Sequence, residues 1–131
     1  MSTSIFGSQT WIFIAALLGG LAVACGAFGA HGLKDRLAPD DLANWETAAR
    51  YQMYHALALL AVGLLAARSP SRFLNLGGIS MTLGTLIFSG CLYAIALTGE
   101  RWLGRVVPIG GVLLIVGWVF LALAAFRSAS A

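Results

Sequence analysis

Charge is scarce in this sequence: Asp, Glu, Lys and Arg make up 10% of 131 residues, no Lys or Arg precedes Lys34, and no acidic residue lies between Glu46 and Glu100. A soluble globule needs more polar surface than that, so a soluble fold is excluded. There is no basic run, which argues against a nucleic-acid partner and assigns the formal charge of +3 to contact with anionic lipid headgroups. Cysteine is nearly absent. Cys25 and Cys91 both lie in apolar segments, where small side chains pack helices, so no disulfide framework is expected. Ala22-Val23-Ala24 before Cys25 has the look of a cleavage site, but the basic n-region of a signal peptide is missing, and the first segment reads as a retained helix.

What the sequence has instead is apolar length. Hydrophobic residues make up 60% and the mean hydropathy is +0.88. A spanning helix takes about 20 residues. The chain therefore reads as one integral membrane domain over 1–131, all-α, with spans at about 11–30, 51–67, 73–97 and 106–126.

A polar leader over 1–10 precedes Trp11, which is expected to anchor the first helix at the interface. At 100° per residue Ala15, Gly19, Ala22, Gly26 and Gly29 share one face of that helix, while Ile14, Leu17, Leu21 and Phe28 share the opposite one. Small residues let backbones approach, so the first face is expected on protein and the second on lipid. Residues 34–50 hold four of the five acids and lie outside the hydrocarbon. Pro39, Asp40 and Asp41 suit a helix start, and Leu42, Trp45 and Ala49 repeat at helical spacing, which predicts a short interfacial amphipathic helix between the first and second spans, running into the second or kinking just before it.

The second span ends at Arg68-Ser69-Pro70-Ser71-Arg72 and turns Tyr51, Gln52 and His55 toward the bundle. The third carries a stripe of Gly77, Ser80, Gly84 and Cys91 beside a second one of Gly78, Thr82, Thr85, Ser89 and Tyr93. It is expected to be the most enclosed helix. The fourth opens with Pro108 in its first turn and presents Gly110 and Gly117 on one face. Gly-Gly followed six residues later by glycine recurs as Gly19-Gly20 and Gly26, Gly77-Gly78 and Gly84, and Gly110-Gly111 and Gly117. A duplicated hairpin explains the first two, and shared packing chemistry explains all three. Gly19, Gly26, Gly29, Gly77, Gly84, Gly110 and Gly117 are the expected helix-packing positions.

The run Gly26-Ala27-Phe28-Gly29-Ala30-His31-Gly32-Leu33-Lys34, then Trp45-Glu46-Thr47-Ala48, Tyr51-Gln52, Phe88-Ser89-Gly90-Cys91-Leu92-Tyr93 and Pro108-Ile109-Gly110-Gly111, resembles the small bacterial membrane proteins catalogued as domain of unknown function 423, to which eukaryotic transmembrane protein 256 is similar. The resemblance covers nearly the whole chain. It implies four spans and an inner-membrane address, and it brings no established activity. Cys91 stands where that family is expected to carry serine, which weakens any role for the thiol.

Four spans place the first and third connections on one side, and with them His31, Tyr51, Gln52, His55 and Tyr93 as a candidate interfacial polar cluster. His31 and His55 are expected to differ in depth by only about 6 Å. In one reading they bind a headgroup or anion, or pass a proton. In the other, His31 caps a helix end or bonds a tyrosine or a carbonyl. Cys25 and His31 point about 240° apart on one helix, which is poor geometry for a metal. No catalytic, cofactor-binding or metal residue is predicted, and no enzyme. A small proton-coupled exporter needs an acid within the membrane, and Asp35, Asp40, Asp41, Glu46 and Glu100 all lie in connections. The expected function is a structural or accessory membrane protein touching lipid, a membrane-protein partner or a second copy of itself. The alternative is a carrier or channel with a cleft beside the third helix. Five basic residues on the side of the first and third connections against three on the other place both termini outside the cytoplasm.

Overall fold

Apolar runs broken by proline, serine and glycine give four helices. The computed structural model describes residues 6–128. Helix α1 is Ser8–Phe28, continued by a wider π turn at Gly29–Leu33; α2 is Pro39–Arg68; α3 is Arg72–Thr98; a 3-10 turn at Arg101–Arg105 leads into α4, Val107–Ser128. No strand occurs among the described residues. Of the polar leader, residues 1–5 lie outside the described residues.

Local chemistry sets the breaks. Pro39 opens α2 with Asp40 and Asp41 in its first turn. Ser71 caps α3, its Oγ accepting from the Phe73 N–H at 3.2 Å. Gly99 ends α3 at φ 74°, a left-handed conformation that glycine adopts without strain, and donates its N–H to Ile95 O at 2.8 Å. Pro108 lies in the first turn of α4.

Three stretches are long and apolar enough to cross a membrane: Ser8–Leu33, Arg72–Thr98 and Arg101–Arg127. The fourth helix, α2, is less apolar because Tyr51, Gln52, Tyr54 and His55 interrupt its leucine-rich half. It is also longer than a span requires. At about 1.5 Å per residue its 30 residues reach about 45 Å, against a hydrocarbon core of about 30 Å. The amphipathic segment forms the first three turns of this continuous helix and runs into its second half without a break. Trp45, Ala48 and Ala49 are buried against α1 and α3, and that packing holds the segment in line with the rest of α2.

Each helix packs antiparallel on the next, with extensive α1–α2, α2–α3 and α3–α4 contacts. Small residues set the spacing. A Cβ added at Gly84 would lie 2.9 Å from Leu114 N and 3.0 Å from Gly110 O, and one at Gly77 would lie 3.2 Å from Gly117 O. A Cβ at Gly110 or Gly117 would likewise meet α3, at Phe88 and Met81, and one at Gly29 would lie 2.6 Å from the Trp45 ring. Gly19 makes ordinary contact with Ala56 at 3.7 Å. Gly26 does not pack: it is exposed, with nothing within 4 Å of an added Cβ, because α2 touches that stretch of α1 through Trp45, which seats on Gly29 one turn further on. Gly78, on the second stripe of α3, takes a close contact from the Trp11 ring, and Gly63, which spacing did not single out, takes one from Ile12.

Trp11 is not an interfacial anchor. It is 1% exposed in the main apolar core with Leu59, Val62, Leu74 and Met81, and its Nε1–H donates to Asn75 Oδ1 at 2.9 Å. The bond satisfies the indole inside the bundle and ties α1 to α3.

Candidate functional site

The polar residues of α2 divide by helical angle into two groups. Gln52 turns toward α1 and α3. Its Nε2 donates to Leu18 O at 2.8 Å, and its Oε1 accepts from the Tyr93 hydroxyl at 2.8 Å. One carbonyl and one hydroxyl fix the amide orientation, since the flipped amide would face oxygen against Leu18 O. Beside this node Trp45 packs against Tyr93 at 4.5 Å between ring centroids and donates Nε1–H to Cys25 O at 2.7 Å. Three helices are thus joined by three hydrogen bonds within two turns of α2.

Tyr51 and His55, one turn apart, face the other way. The His55 Nδ1 lies 2.7 Å from Tyr51 O, and Trp118 Nε1–H donates to His55 Nε2 at 3.1 Å. A carbonyl only accepts, so Nδ1 carries the ring proton; Nε2 then has the lone pair that the indole needs. His55 is a neutral imidazole with both nitrogens used inside the protein, and it joins α2 to α4.

Around it α2 and α4 separate over α3 to leave a cleft of about 670 Å³. Phe88, Gly111 and Leu114 form its floor, and Tyr51, Tyr54, Leu57, Ile115 and Trp118 its walls. Those wall residues are exposed in mid-helix, so the cleft opens sideways from the bundle. His55 stands five residues, about 7.5 Å, beyond Arg50 along α2. The hydroxyls of Tyr51 and Tyr54 make no hydrogen bond within the described residues. The aromatic wall is continuous, with Tyr51 4.9 Å from Phe88 and 5.6 Å from Tyr54 between centroids.

His31 joins neither group. It is exposed in the π turn after α1, at the level of the first turns of α2. Trp45, seated on Gly29, comes ten residues and about 15 Å before His55. The expected 6 Å fails because residues 39–50 stand as helix between the two histidines. The backbone stays helical through this stretch, with Gly29 at φ −60° and ψ −47°.

The hydroxyls of α3 serve packing. Ser80 Oγ–H donates to Leu113 O at 2.6 Å, Thr82 to Gly78 O at 2.7 Å, and Ser89 to Ala48 O at 2.8 Å. Thr85 is 2% exposed, and its Oγ1 has no partner within the described residues. Cys25 and Cys91 are free thiols. No group of three metal-ligating side chains gathers among the described residues. Trp118, Tyr54 and Phe88 were not among the expected site residues. The spacing Gly111, Leu114, Trp118 on one face of α4 is the signal that points to the first of them.

The helices and the inward-facing polar side chains define a multi-pass helical membrane protein. A family described as "Protein of unknown function (DUF423)" matches residues 25–111. A UPF0382 membrane protein of Staphylococcus epidermidis is 46% identical over 121 residues, covering 92% of this chain and 98% of its own. The UPF0382 membrane protein of Haemophilus influenzae is 42% identical over 120 residues, covering 92% and 96%. The chain belongs to the DUF423 family of membrane proteins. No solved structure matches it.

Proposed function

We propose that the chain is a four-span accessory protein of the inner membrane that receives an apolar helix of a membrane-protein partner in the α2–α4 cleft. In this reading α2 is the fourth span: Gln52 and His55 point inward, and Leu60, Leu64 and Leu65 are left for lipid. An α-helical chain suits the inner membrane, since outer membranes are spanned by closed barrels.

The observation that carries the partner reading is the cleft itself. It is an aromatic groove between two helices that both rest on α3, open along its side, with two unpaired tyrosine hydroxyls on its rim. Aromatic side chains of this kind are enriched at protein contacts, and the free hydroxyls offer donors to a partner's backbone or side chains. The carrier reading loses support on the same ground. The hydroxyls of Ser80, Thr82 and Ser89 are bonded to backbone carbonyls, and both His55 nitrogens are engaged, Nδ1 within α2 and Nε2 with α4.

The test is site-specific photo-crosslinking in native membranes with a benzophenone side chain at Tyr54 or Ile115, with Leu123 on the outer face of α4 as control. One discrete protein adduct from the cleft positions and none from Leu123 is expected. Adducts to lipid alone, or equal yield at Leu123, would overturn the partner reading.

A further inference from the structure

The charges of this chain sort by end. Lys34, Arg36, Arg50, Arg101 and Arg105 share one end with Asp35, Asp40, Asp41, Glu46 and Glu100, so side-chain charge there sums to zero. The Arg101 guanidinium lies 2.8 Å from Asp41 Oδ1, which ties the turn before α4 to the start of α2. Arg68, Arg72 and Arg127 stand at the opposite end, with no Asp or Glu in their segments. The whole formal charge of +3 is therefore concentrated where α2 ends, α3 begins and α4 closes.

That end also has shape. A groove of about 200 Å³ runs between the ends of α2 and α4, lined by Leu65, Arg68, Ser69, Leu74, Ala124 and Ala125. Arg127 is held with its guanidinium carbon 5.0 Å from the centroid of the Phe73 ring, which in turn stacks with Phe120 at 6.3 Å. This holds a third cation at the same end of the bundle, over an aromatic face. The groove is apolar inside and basic at its mouth, the complement of a phospholipid with its acyl chain lowered and its phosphate at the surface.

We propose that this end binds an anionic phospholipid: an acyl chain lies along Leu65, Leu74 and Ala124, and Arg68, which lines the groove, binds the phosphate, with Arg72 and Arg127 adding to the field. Guanidinium groups suit phosphate because their planar forks donate two parallel hydrogen bonds. Basic pockets between the ends of membrane helices recognise lipid headgroups in this way. The site is separate from the α2–α4 cleft, so it stands or falls independently of the partner reading.

The test uses the full chain in detergent with equal amounts of dioleoyl phosphatidylglycerol and dioleoyl phosphatidylcholine, the bound lipid being counted by native mass spectrometry. Wild-type protein should retain the phosphatidylglycerol preferentially. Each arginine removed should weaken retention about five-fold, so R68Q/R127Q should lose it about 25-fold. Arg105→Gln, at the other end, should leave it unchanged. Equal retention of the two lipids by wild-type protein overturns the proposal without recourse to any variant. So does an R105Q effect as large as that of R68Q/R127Q, which would mark a diffuse charge effect. Inorganic phosphate at millimolar concentration should not displace the lipid; full displacement would mark a site for the soluble ion and refute the lipid.

Discussion

Replacing Gly84 by alanine tests the central contact of the bundle. The added Cβ would lie 2.8 Å from Leu114 Cδ2, 2.9 Å from Leu114 N and 3.0 Å from Gly110 O. The leucine tip can rotate away, but the other two atoms belong to the backbone of α4. Restoring ordinary contact at about 3.5 Å requires the two helices to part by about half an ångström. That separation also loosens the neighbouring contacts of Gly77 with Gly117 and lengthens the Ser80 bond to Leu113 O. Overpacking of this kind costs about 1–3 kcal/mol, and alanine returns about 1 kcal/mol of helix propensity, so the net change runs from about zero to a loss of about 2 kcal/mol. Gly90, on the same helix, is exposed with nothing within 4 Å of an added Cβ. Gly90→Ala should therefore gain about 0.5–1 kcal/mol. The pair is compared by thermal unfolding in one detergent, where the propensity change is the same and only the neighbour differs. If Gly84→Ala proves as stable as Gly90→Ala, close backbone approach is not what joins α3 to α4.

A double-mutant cycle of His55→Leu and Trp118→Phe should show a coupling of about 1 kcal/mol, because either change alone leaves the other's ring nitrogen without its partner; additive losses would show that the 3.1 Å contact carries no energy. Thr85→Val should raise stability by about 1 kcal/mol, since it removes a buried hydroxyl without a partner and keeps the shape, whereas Ser89→Ala should lower it by breaking the bond to Ala48 O. A loss at Thr85 equal to that at Ser89 would mean that the threonine hydroxyl is engaged.

Periodicity along one helix is local information, and what depends on it was legible in the residues. Apolar length and sparse charge gave a membrane chain with four helices; Pro39, Ser71, Gly99 and Pro108 marked their ends; and the 100° rotation per residue separated Gly77, Ser80 and Gly84 on α3 from the exposed Leu76, Leu83 and Leu86. Tertiary structure decided which small face finds a backbone and which polar residues meet. Gly26 and Gly29 share a face, yet only Gly29 receives a side chain, because the register between α1 and α2 puts Trp45 there. His31 and His55 are 24 positions apart in sequence, but the upright first turns of α2 hold them apart. That uprightness comes from Trp45, Ala48 and Ala49 burying against α1 and α3, which composition alone does not distinguish from lying on a membrane surface. The His55–Trp118 bond crosses 63 positions, and no periodicity within either helix encodes the register that brings those two rings together.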